Sequence, residues 1–567
     1  MRLPYKIMFL LLGLVLAAGC AGKEGAPVSG GEKMKRDAKG TQAMVAAAKP
    51  EASQVGVEIL KQGGNAIDAA VATAFALGAV EINASGMGGG GFMLIRFAKT
   101  GEVVFIDYRE TAPLKATPDM YKLDQKGNVL QNASKEGGLA VAVPGNVAGL
   151  LTALEKYGTM KRQQVLKPAM DYAKNGLVVS KVLQGMIESN FDKLNKYAAS
   201  RALFFKDGLP LKEGDILINE DLAKTLEIVA QKGKDGFYKG EVAQKLVAAV
   251  QSAGGIITLE DLTAYQVKLR EPVKGSYRGY EIISSPPASS GGIHVIELLN
   301  IMENFDLKNM PYNSADYWHA WAEAMKLVYA DRAAYLGDAD FVKVPVKGLT
   351  SKKYARKVFG NISLAKAMKQ GKANDPWPFN ESGNTSHISI VDKQGNMVAL
   401  TQTINDFFGS GVTVPGCGFV LNDEMDDFVK KPGTKNSIAP GKRPLSSMSP
   451  TLLLKDGQPY ATLGSPGGMR IITTVAQIIS NLIDQGMAVQ QAIEAPKTNN
   501  YQGGALKIES RVPADAQEGL KKKGHQLTVY KAFDLYFGGA QAVVRDLKTG
   551  DLHGGADPRR DGVAMGY

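Results

Sequence analysis

Cysteine is scarce in this chain: 567 residues contain only two, Cys20 and Cys417. A disulfide framework is therefore excluded, and packing alone has to hold a core of this size together. Histidine is also scarce, with five scattered residues and no H-E-x-x-H pair, so the sequence pattern of a histidine-rich metal site is missing. We predict neither a metal nor a cofactor, and we interpret Cys417 as a buried small residue rather than a nucleophile.

Basic clusters are missing as well, although the net charge is +11. The longest run of like charge is Lys521–Lys523, and no basic stripe alternates with aromatic residues as a nucleic-acid-binding surface requires. We therefore exclude nucleic acid as a partner. A hydrophobic content of 44% and a charged content of 22% are typical of a soluble globular protein, and the length predicts two or more packed units.

The N-terminal apolar segment, Ile7–Gly19, is too short for a comfortable transmembrane helix. It follows the positive residues Arg2 and Lys6 and ends in "AAGC", which resembles a bacterial lipoprotein signal. We predict a signal peptide over 1–19, lipid on Cys20, and a flexible Gly/Lys-rich tether over 20–40. A plain signal peptide is the alternative. Either way the protein is exported to the periplasm or cell surface, and Ala21 favours the outer membrane of a two-membrane bacterium.

Periodicity predicts several elements of the remaining chain. The segment "SQVGVEILKQGGNAIDAAVATAFALGAVE" gives two helices broken at Gly63 and Gly64. "GMGGGGFMLIRFAKTGEVVFIDYRE" gives a glycine loop and then a hairpin, and "TLLLKDGQPYATLG" gives strands that precede the helix "MRIITTVAQIISNLIDQG". A third helix carries apolar residues at helical spacing that predict core rather than a binding site: Trp318, Trp321, Met325 and Val328.

Thr385 stands where a loop meets a strand. Residues 383–405, "GNTSHISIVDKQGNMVALTQTIN", have the alternation and the central turn of a β-hairpin. The Pro/Gly/Asn-rich stretch from about Lys369 to Asn384 is the clearest internal break. Three interpretations of this threonine compete: an ordinary strand start, an N-x-S glycosylation acceptor at Asn384, or a new N-terminus created by cutting the chain.

Four further stretches have the composition of a binding site, and each alone is a weak signal. Gly86–Leu94 lacks the lysine and helix start of a phosphate loop, so a tight structural turn is the better interpretation. Asn422–Phe428 concentrates acids between apolar residues, which favours a core edge over a solvated turn. Lys442–Pro450 offers paired hydroxyls, and Leu463–Arg470 offers glycines before a helix, where backbone N–H groups suit an oxyanion.

Together, in this order and spacing, these motifs closely resemble the γ-glutamyltranspeptidase family. The motifs that carry the resemblance are "GMGGGGFML", "DYRETAP", "SSPPASSGGIH", "ADRAAYLGDADFVKVP", "TSH", "TQTIN", "NDEMDDF", "KRPLSSMSP", "GSPGG" and "MGY". The resemblance covers nearly everything after about residue 41. It implies an α/β fold, the αββα four-layer sandwich of the N-terminal-nucleophile hydrolases. It also implies self-cleavage into a large subunit, 41–384, and a small catalytic subunit, 385–567.

The resemblance also assigns roles to individual residues. Thr385 is the nucleophile, and Asn384–Thr385 is the bond that is cut. The chemistry is coherent, because a free N-terminal amine titrates near working pH and can take the proton of the hydroxyl. The other expected roles are Thr403 orienting Thr385, Arg109 with Ser446 and Ser447 holding the donor α-carboxylate, Asn405 with Glu424 and Asp427 holding the α-ammonium, and Gly467 with Gly468 forming the oxyanion hole.

One segment departs from part of the family. Some relatives carry a longer loop with a Tyr that covers the pocket, whereas this chain has only "TKNSIAPG", Thr434–Gly441. We expect a more open acceptor side. The resemblance predicts a γ-glutamyltranspeptidase and glutathione hydrolase acting on glutathione and related γ-glutamyl compounds, with water, an amino acid or a peptide as acceptor. The alternatives are a cephalosporin-acylase-like enzyme, a poly-γ-glutamate depolymerase, or an uncut ligand-binding surface lipoprotein.

Overall fold

The computed structural model describes residues 35–371 and 385–567. The predicted signal peptide, Cys20, most of the tether and Asn384 lie outside these ranges, so the predictions for them stay predictions. Within the two ranges, no helix has the length and apolarity that crossing a membrane requires.

Two seven-stranded antiparallel sheets form the centre of the molecule. The strands are β1 Ala38–Gly40, β2 Met44–Ala47, β3 Gly90–Arg96, β4 Val103–Tyr108, β5 Leu177–Val178, β6 Phe205–Lys206, β7 Leu209–Pro210, β8 Ile216–Leu217, β9 Lys268–Arg270, β10 Val273–Tyr277, β11 Tyr280–Ser284, β12 Thr385–Val391, β13 Met397–Thr403, β14 Thr451–Lys455, β15 Gln458–Gly464, β16 Thr498–Asn499, β17 Leu506–Glu509, β18 Leu527–Tyr530, β19 Gln541–Arg545, β20 Leu552–Ala556 and β21 Val563–Gly566. The first sheet has the order β1-β20-β19-β15-β14-β11-β10, and the second, which we call the nucleophile sheet, has the order β21-β2-β12-β13-β3-β4-β9.

Helices cover the outer face of each sheet. The α-helices are α1 Pro50–Lys61, α2 Ala66–Val80, α3 Asn146–Tyr157, α4 Arg162–Asn175, α5 Lys181–Ser189, α6 Phe191–Asn195, α7 Ala198–Phe204, α8 Glu220–Lys232, α9 Asp235–Tyr238, α10 Gly240–Ser252, α11 Leu259–Ala264, α12 Gly291–Met302, α13 Ala315–Tyr335, α14 Val346–Leu349, α15 Lys352–Phe359, α16 Arg470–Ile483, α17 Val489–Glu494 and α18 Ala514–Lys522. Short 3₁₀ turns lie at Leu130–Asn132, Gly138–Ala140, Glu424–Asp427 and Leu535–Phe537.

The alternation along the strands builds four layers. On β12 and β13, Ile388, Ile390, Val398 and Leu400 pack with α1–α4 in one core. The opposite face of the same sheet packs on the first sheet, whose other face is covered by α12, α16 and α17, with α13 packed on α12. This order of layers is α, β, β, α, so the predicted αββα sandwich is confirmed.

The predicted elements around this core are confirmed. Helix α1 ends before the Gly63–Gly64 break, and α2 begins with a capping box in which Asn65 and Asp68 satisfy each other's backbone N–H groups. Trp318 and Trp321 on α13 are fully buried, in agreement with their interpretation as core. Cys417 is also buried and has no disulfide partner among the described residues.

The glycine loop contains the predicted tight turn, in which the N–H of Gly89 donates to the carbonyl of Gly86 at 3.2 Å, and the glycines at 88–91 have a second structural role. These glycines have ordinary backbone angles, and β3 begins among them. A Cβ added at Gly89 would lie 1.9 Å from the carbonyl oxygen of Thr403, and one at Gly88 would lie 2.1 Å from that of Val420. The missing side chains therefore let two backbone segments approach the end of β13.

The nucleophile sheet combines strands that precede residue 385 in the sequence with strands that begin at or after it. Strand β12 lies between β2 and β13, and β13 pairs with β3 in turn. The last strand, β21, pairs with β2 at the edge. Strand β2 from the first part of the chain thus lies between β21 and β12 from the last part, and both parts contribute to one sheet.

Candidate active site

Thr385 begins β12 and lies opposite Thr403, the last residue of β13. Its side chain is buried, and its Oγ1 is 3.5 Å from Oγ1 of Thr403. The backbone N–H of Asn405 donates to the same Thr403 hydroxyl at 2.8 Å. Asn405 has a φ of +67°, in the left-handed region that asparagine tolerates. This bend after β13 brings the predicted orienting residue Thr403 and the predicted binding residue Asn405 to one end of the hairpin.

A cavity with about 260 Å³ of empty space opens at this end of the hairpin. Nine of the ten residues predicted for catalysis or substrate binding line it, although they come from distant parts of the chain. The lining residues are Arg109, Thr385, Thr403, Asn405, Glu424, Asp427, Ser446, Ser447, Met448, Gly468 and Ile471.

Arg109 lies directly after β4 and is almost fully buried. Its Nη1 is 2.7 Å from Oε2 of Glu424, and its Nη2 donates to Asp427. Burial lowers the pKa of the guanidinium, but the carboxylates of Glu424, Asp427 and Glu110 outweigh that effect and raise the pKa overall. The arginine therefore stays charged and in place.

Two buried glutamates adjoin this arginine. Burial raises the pKa of Glu424 well above its ordinary value although Arg109 opposes the shift. Burial also raises the pKa of Glu110 to about 7, again against the effect of Arg109. Glu110 was not among the predicted site residues. Its signal was present in the sequence, since it follows Arg109 in the "DYRETAP" motif.

The acidic segment is anchored by Asn422, so the interpretation of Asn422–Phe428 as part of a core edge is confirmed. The Nδ2 of Asn422 donates to the carbonyls of Gly88 and Ala142, and its Oδ1 accepts from the N–H of Glu424. Carboxylates that would be solvated on a surface turn are thereby fixed beside Arg109.

The paired serines of "KRPLSSMSP", Ser446 and Ser447, are held by residues that sequence reasoning missed. Arg332, on α13, donates through Nη2 to the Ser447 hydroxyl at 3.0 Å and through Nε to the Ser290 hydroxyl at 2.9 Å. The Ser290 hydroxyl in turn donates to the carbonyl of Ser446 at 2.8 Å. No sequence spacing predicts this network, because each of its hydrogen bonds joins residues at least 42 positions apart. Its only marks in the sequence are the motifs that contain Ser290 and Arg332.

The glycine pair precedes α16, whose first turn donates to their carbonyls. Gly468 lines the cavity with a φ of +57°, whereas Gly467 has a φ of +133° and lies close to Gly538. The N-terminus of α16 adds a partial positive charge at this wall. This arrangement suits an oxyanion, with Gly468 nearer to the cavity than Gly467.

The short segment Thr434–Gly441 packs against the acidic segment Asn422–Phe428. The Asn436 side chain donates to the Asp427 carbonyl at 2.6 Å and accepts from the Leu445 N–H at 3.1 Å. Ile438 is buried with Met425 and Phe428. The segment thus supports the position of Asp427. An open acceptor side stays a prediction.

One group of described residues has the composition of a metal site. Ligand atoms of His319, Glu323 and His525 lie within 4.8 Å of one another. However, the two imidazoles hydrogen-bond to each other at 2.8 Å, and Lys326 donates to Glu323 at 2.7 Å. These contacts already satisfy the cluster, so we assign no ion to it.

Comparison with known proteins relates the fold and the cavity to an enzyme family. The sequence model described as Gamma-glutamyltranspeptidase matches residues 52–567. A glutathione hydrolase proenzyme of Escherichia coli (strain K12) is 44% identical, over 99% of this chain and 98% of that protein. A gamma-glutamyltranspeptidase structure from Helicobacter pylori is 47% identical with a TM-score of 0.56, over 59% of this chain and 96% of that chain. The cephalosporin acylase structure from Bacillus halodurans is 29% identical with a TM-score of 0.86, over 96% and 99%.

Proposed function

The chain belongs to the gamma-glutamyltranspeptidase family, and from this premise we propose how it works as a γ-glutamyltransferase and glutathione hydrolase. The precursor cuts itself between Asn384 and Thr385. The large subunit 41–384 and the small subunit 385–567 then form the working enzyme, with Thr385 as its N-terminal nucleophile. The name proenzyme on the Escherichia coli relative supports two subunits made from one precursor.

One observation carries the proposal: a threonine hydroxyl, an arginine, three hydroxyl partners and two carboxylates converge on one cavity. An ordinary strand start needs none of these groups. Burying Arg109 and Glu424 together costs desolvation free energy, which a purely structural strand start would not require. The same residue set is the one that the family resemblance assigns to catalysis and donor binding.

The proposed reaction begins at the amine that the cut releases. This amine takes the proton from Oγ1 of Thr385 while Oγ1 attacks the γ-carbonyl carbon of the donor. The carbonyl electron pair moves to its oxygen, which backbone N–H groups near Gly468 stabilise. When the carbonyl re-forms, the C–N bond breaks, and the leaving amine takes the proton from the threonine ammonium. Water or an acceptor amine repeats these steps on the γ-glutamyl ester.

The charges of the cavity account for a donor with a free amino-acid end. Arg109 lies against both Glu424 and Asp427. A γ-glutamyl donor brings one carboxylate and one ammonium, so each side of these ion pairs meets a counter-ion on the substrate. Arg109 with Ser446 and Ser447 would take the carboxylate in two hydrogen bonds or more. Glu424, Asp427 and Asn405 would take the ammonium.

Replacing Thr385 by Ala tests the core of this proposal. We expect a single uncut chain without turnover of glutathione, because both steps lose the attacking oxygen. For the unaltered protein, a denaturing gel should show two bands, and the smaller should begin at Thr385 on N-terminal sequencing. An active enzyme that remains one intact chain would contradict the proposal and favour the uncut lipoprotein.

An acylase activity is the second candidate, and the high structural similarity to the Bacillus halodurans cephalosporin acylase favours it. The discriminating feature of the donor is its α-ammonium, which a glutaryl group lacks. We expect turnover of γ-glutamyl amides to exceed that of matched glutaryl amides, since a glutaryl donor offers no ammonium group to Glu424 and Asp427. Faster turnover of the glutaryl amides would favour the acylase.

Lipid on Cys20 is the proposed anchor, and export is its prerequisite. The "AAGC" end of the apolar segment supports it. In the Cys20→Ala variant we expect activity to move from the membrane fraction to the soluble fraction. Retention of that variant in the membrane fraction would contradict the anchor without affecting the catalytic proposal.

A further inference from the structure

A buried ion pair contacts the nucleophile strand from outside the predicted set of site residues. Arg560 donates through Nη1 to the carbonyl oxygen of Thr385 at 2.8 Å. The hydroxyl of Ser386 donates to Glu81. Nη1 of Arg560 is also 3.5 Å from Oε1 of Glu81. The pair therefore holds two consecutive residues at the start of β12.

The two ions come from elements at opposite ends of the chain. Glu81 caps the C-terminus of α2, and Arg560 lies just before β21. Their side chains are only 5% and 2% exposed. They line a second cavity of about 240 Å³, together with a second ion pair between Lys49 and Asp561 at 2.5 Å.

We propose that Arg560 and Glu81 are positioning residues for the nucleophile, and that their opposed charges set the proton affinity of the α-amine that the cut creates on Thr385. This inference rests on the proposed function, because it needs Thr385 as an N-terminal residue. Arg560 fixes the carbonyl group of that residue. The amine belongs to the same residue, so it lies close to the cation.

The signs of the two effects are opposite. A nearby cation disfavours the ammonium and keeps the amine a free base, whereas a nearby carboxylate favours the ammonium. Burial lowers the pKa of Arg560, although Glu81 opposes that shift, and guanidinium remains a cation at neutral pH. Burial raises the pKa of Glu81, and Arg560 and the Ser386 hydroxyl oppose that shift. Other charged groups lie in the second cavity (Lys49 and Asp561), in the first cavity (Arg109, Glu424 and Asp427), and close enough to act on Arg560 (Asp557 and Arg470).

Variants that remove the charge of Arg560 or of Glu81 test the inference. The measurement is kcat/KM on a γ-glutamyl anilide as a function of pH, because the acidic limb of that profile reports protonation of the Thr385 amine. In Arg560→Gln the acidic limb should move to higher pH by about one unit or more. In Glu81→Gln it should move to lower pH. A residue that only supports the fold would lower the activity without opposite displacements of the limb.

Two further variants separate charge from geometry. Arg560→Lys keeps the cation, so its limb should stay near that of the unaltered enzyme while kcat falls because one of the fork's contacts is lost. Arg559→Lys is the matched control, because Arg559 binds Glu509 and Asp557. The acidic limb of the pH profile of this variant should stay where it is in the unaltered enzyme. N-terminal sequencing accompanies each assay.

The outcomes distinguish this inference from the proposed function. A small subunit that does not begin at Thr385 would overturn both. The inference alone would fail if Arg560→Gln and Glu81→Gln were cut correctly but the acidic limbs of their pH profiles stayed in place or moved in the same direction. If all three variants at 81 and 560 remained uncut while Arg559→Lys was cut, the pair would act in the cut rather than in setting the amine, and the inference would again fail.

Discussion

At the scale of single residues, the arginine after β4 is the most constrained group of the site. Arg109 is buried and fixed by two carboxylates at one wall of the cavity. Its planar fork can bind a carboxylate through two N–H groups, whereas a lysine at the same place offers a point charge. The geometry of the group, and not only its charge, is thus expected to determine how well donors bind.

Replacing Arg109 by Lys should lower kcat/KM for γ-glutamyl donors at least tenfold, or about 1.5 kcal/mol, the lower end for a hydrogen bond to a charged group. The loss should be similar for any leaving group. It should shrink for a donor whose α-carboxylate is amidated, because the fork then has no anion to hold. Steady-state kinetics of both enzymes on both donors measures this. An equal loss on both donors would mean that Arg109 supports the fold instead.

Motifs explain the residues that the sequence identified, whereas long-range contacts explain most of those that it missed. Thr385, Thr403 and Arg109 lie at element ends inside recognisable motifs, so the sequence predicted them. Arg560 and Glu81 contact the start of β12 across 175 and 305 residues of sequence. Neither local periodicity nor motif spacing encodes such a contact, and only the folded chain reveals it.

At the scale of elements, the end of the nucleophile hairpin depends on the glycines that face it. The sequence predicted both hairpins and the helix after the second glycine motif, because alternation and turn residues are local signals. It did not predict that the backbone at Gly89 would contact the backbone of Thr403 too closely for a side chain to fit between them. That approach is set by the pairing of β3 with β13.

Gly89→Ala should destabilise the protein by more than about 3 kcal/mol, because the added Cβ overlaps backbone that cannot move aside. Soluble yield and thermal unfolding measure the effect. The control is Gly185→Ala in α5, where an added Cβ meets no atom within 4 Å. That variant should be neutral or more stable by about 0.5–1 kcal/mol. Equal stabilities of the two variants would refute this account of the glycine segment.

At the scale of the whole molecule, buried neutral histidines link stability to pH. Burial lowers the pKa of three of them to about 3: His294, His387 and His525. In the unfolded chain an imidazole has a pKa of about 6.5. The unfolded state therefore binds more protons below that pH. Stability from these histidines is present above about pH 6.5 and is lost as the pH falls toward 3.

His387→Gln should make the fall of the melting temperature between pH 6.5 and 3 less steep. His387 lies on β12, where its ring contacts the hydroxyls of Thr401 and Ser389, and glutamine keeps hydrogen-bonding capacity without a titrating group. Circular dichroism melts of the uncut Thr385→Ala chain with and without this change make the comparison. Parallel curves over that range would show that His387 does not contribute.

The interleaving of strands in the nucleophile sheet has a consequence for how the protein can be made. Before the proposed cut between Asn384 and Thr385, folding is unimolecular. Afterwards, β12, β13 and β21 belong to one polypeptide, and β2, β3, β4 and β9 belong to the other. Neither polypeptide holds all the strands of either seven-stranded sheet, so recovery from denaturant becomes a bimolecular encounter between two incomplete halves. The refolding yield of the cut enzyme should rise with protein concentration until aggregation intervenes, whereas that of the uncut Thr385→Ala chain should not. The mature enzyme then depends on slow unfolding, that is, on kinetic stability, for its lifetime.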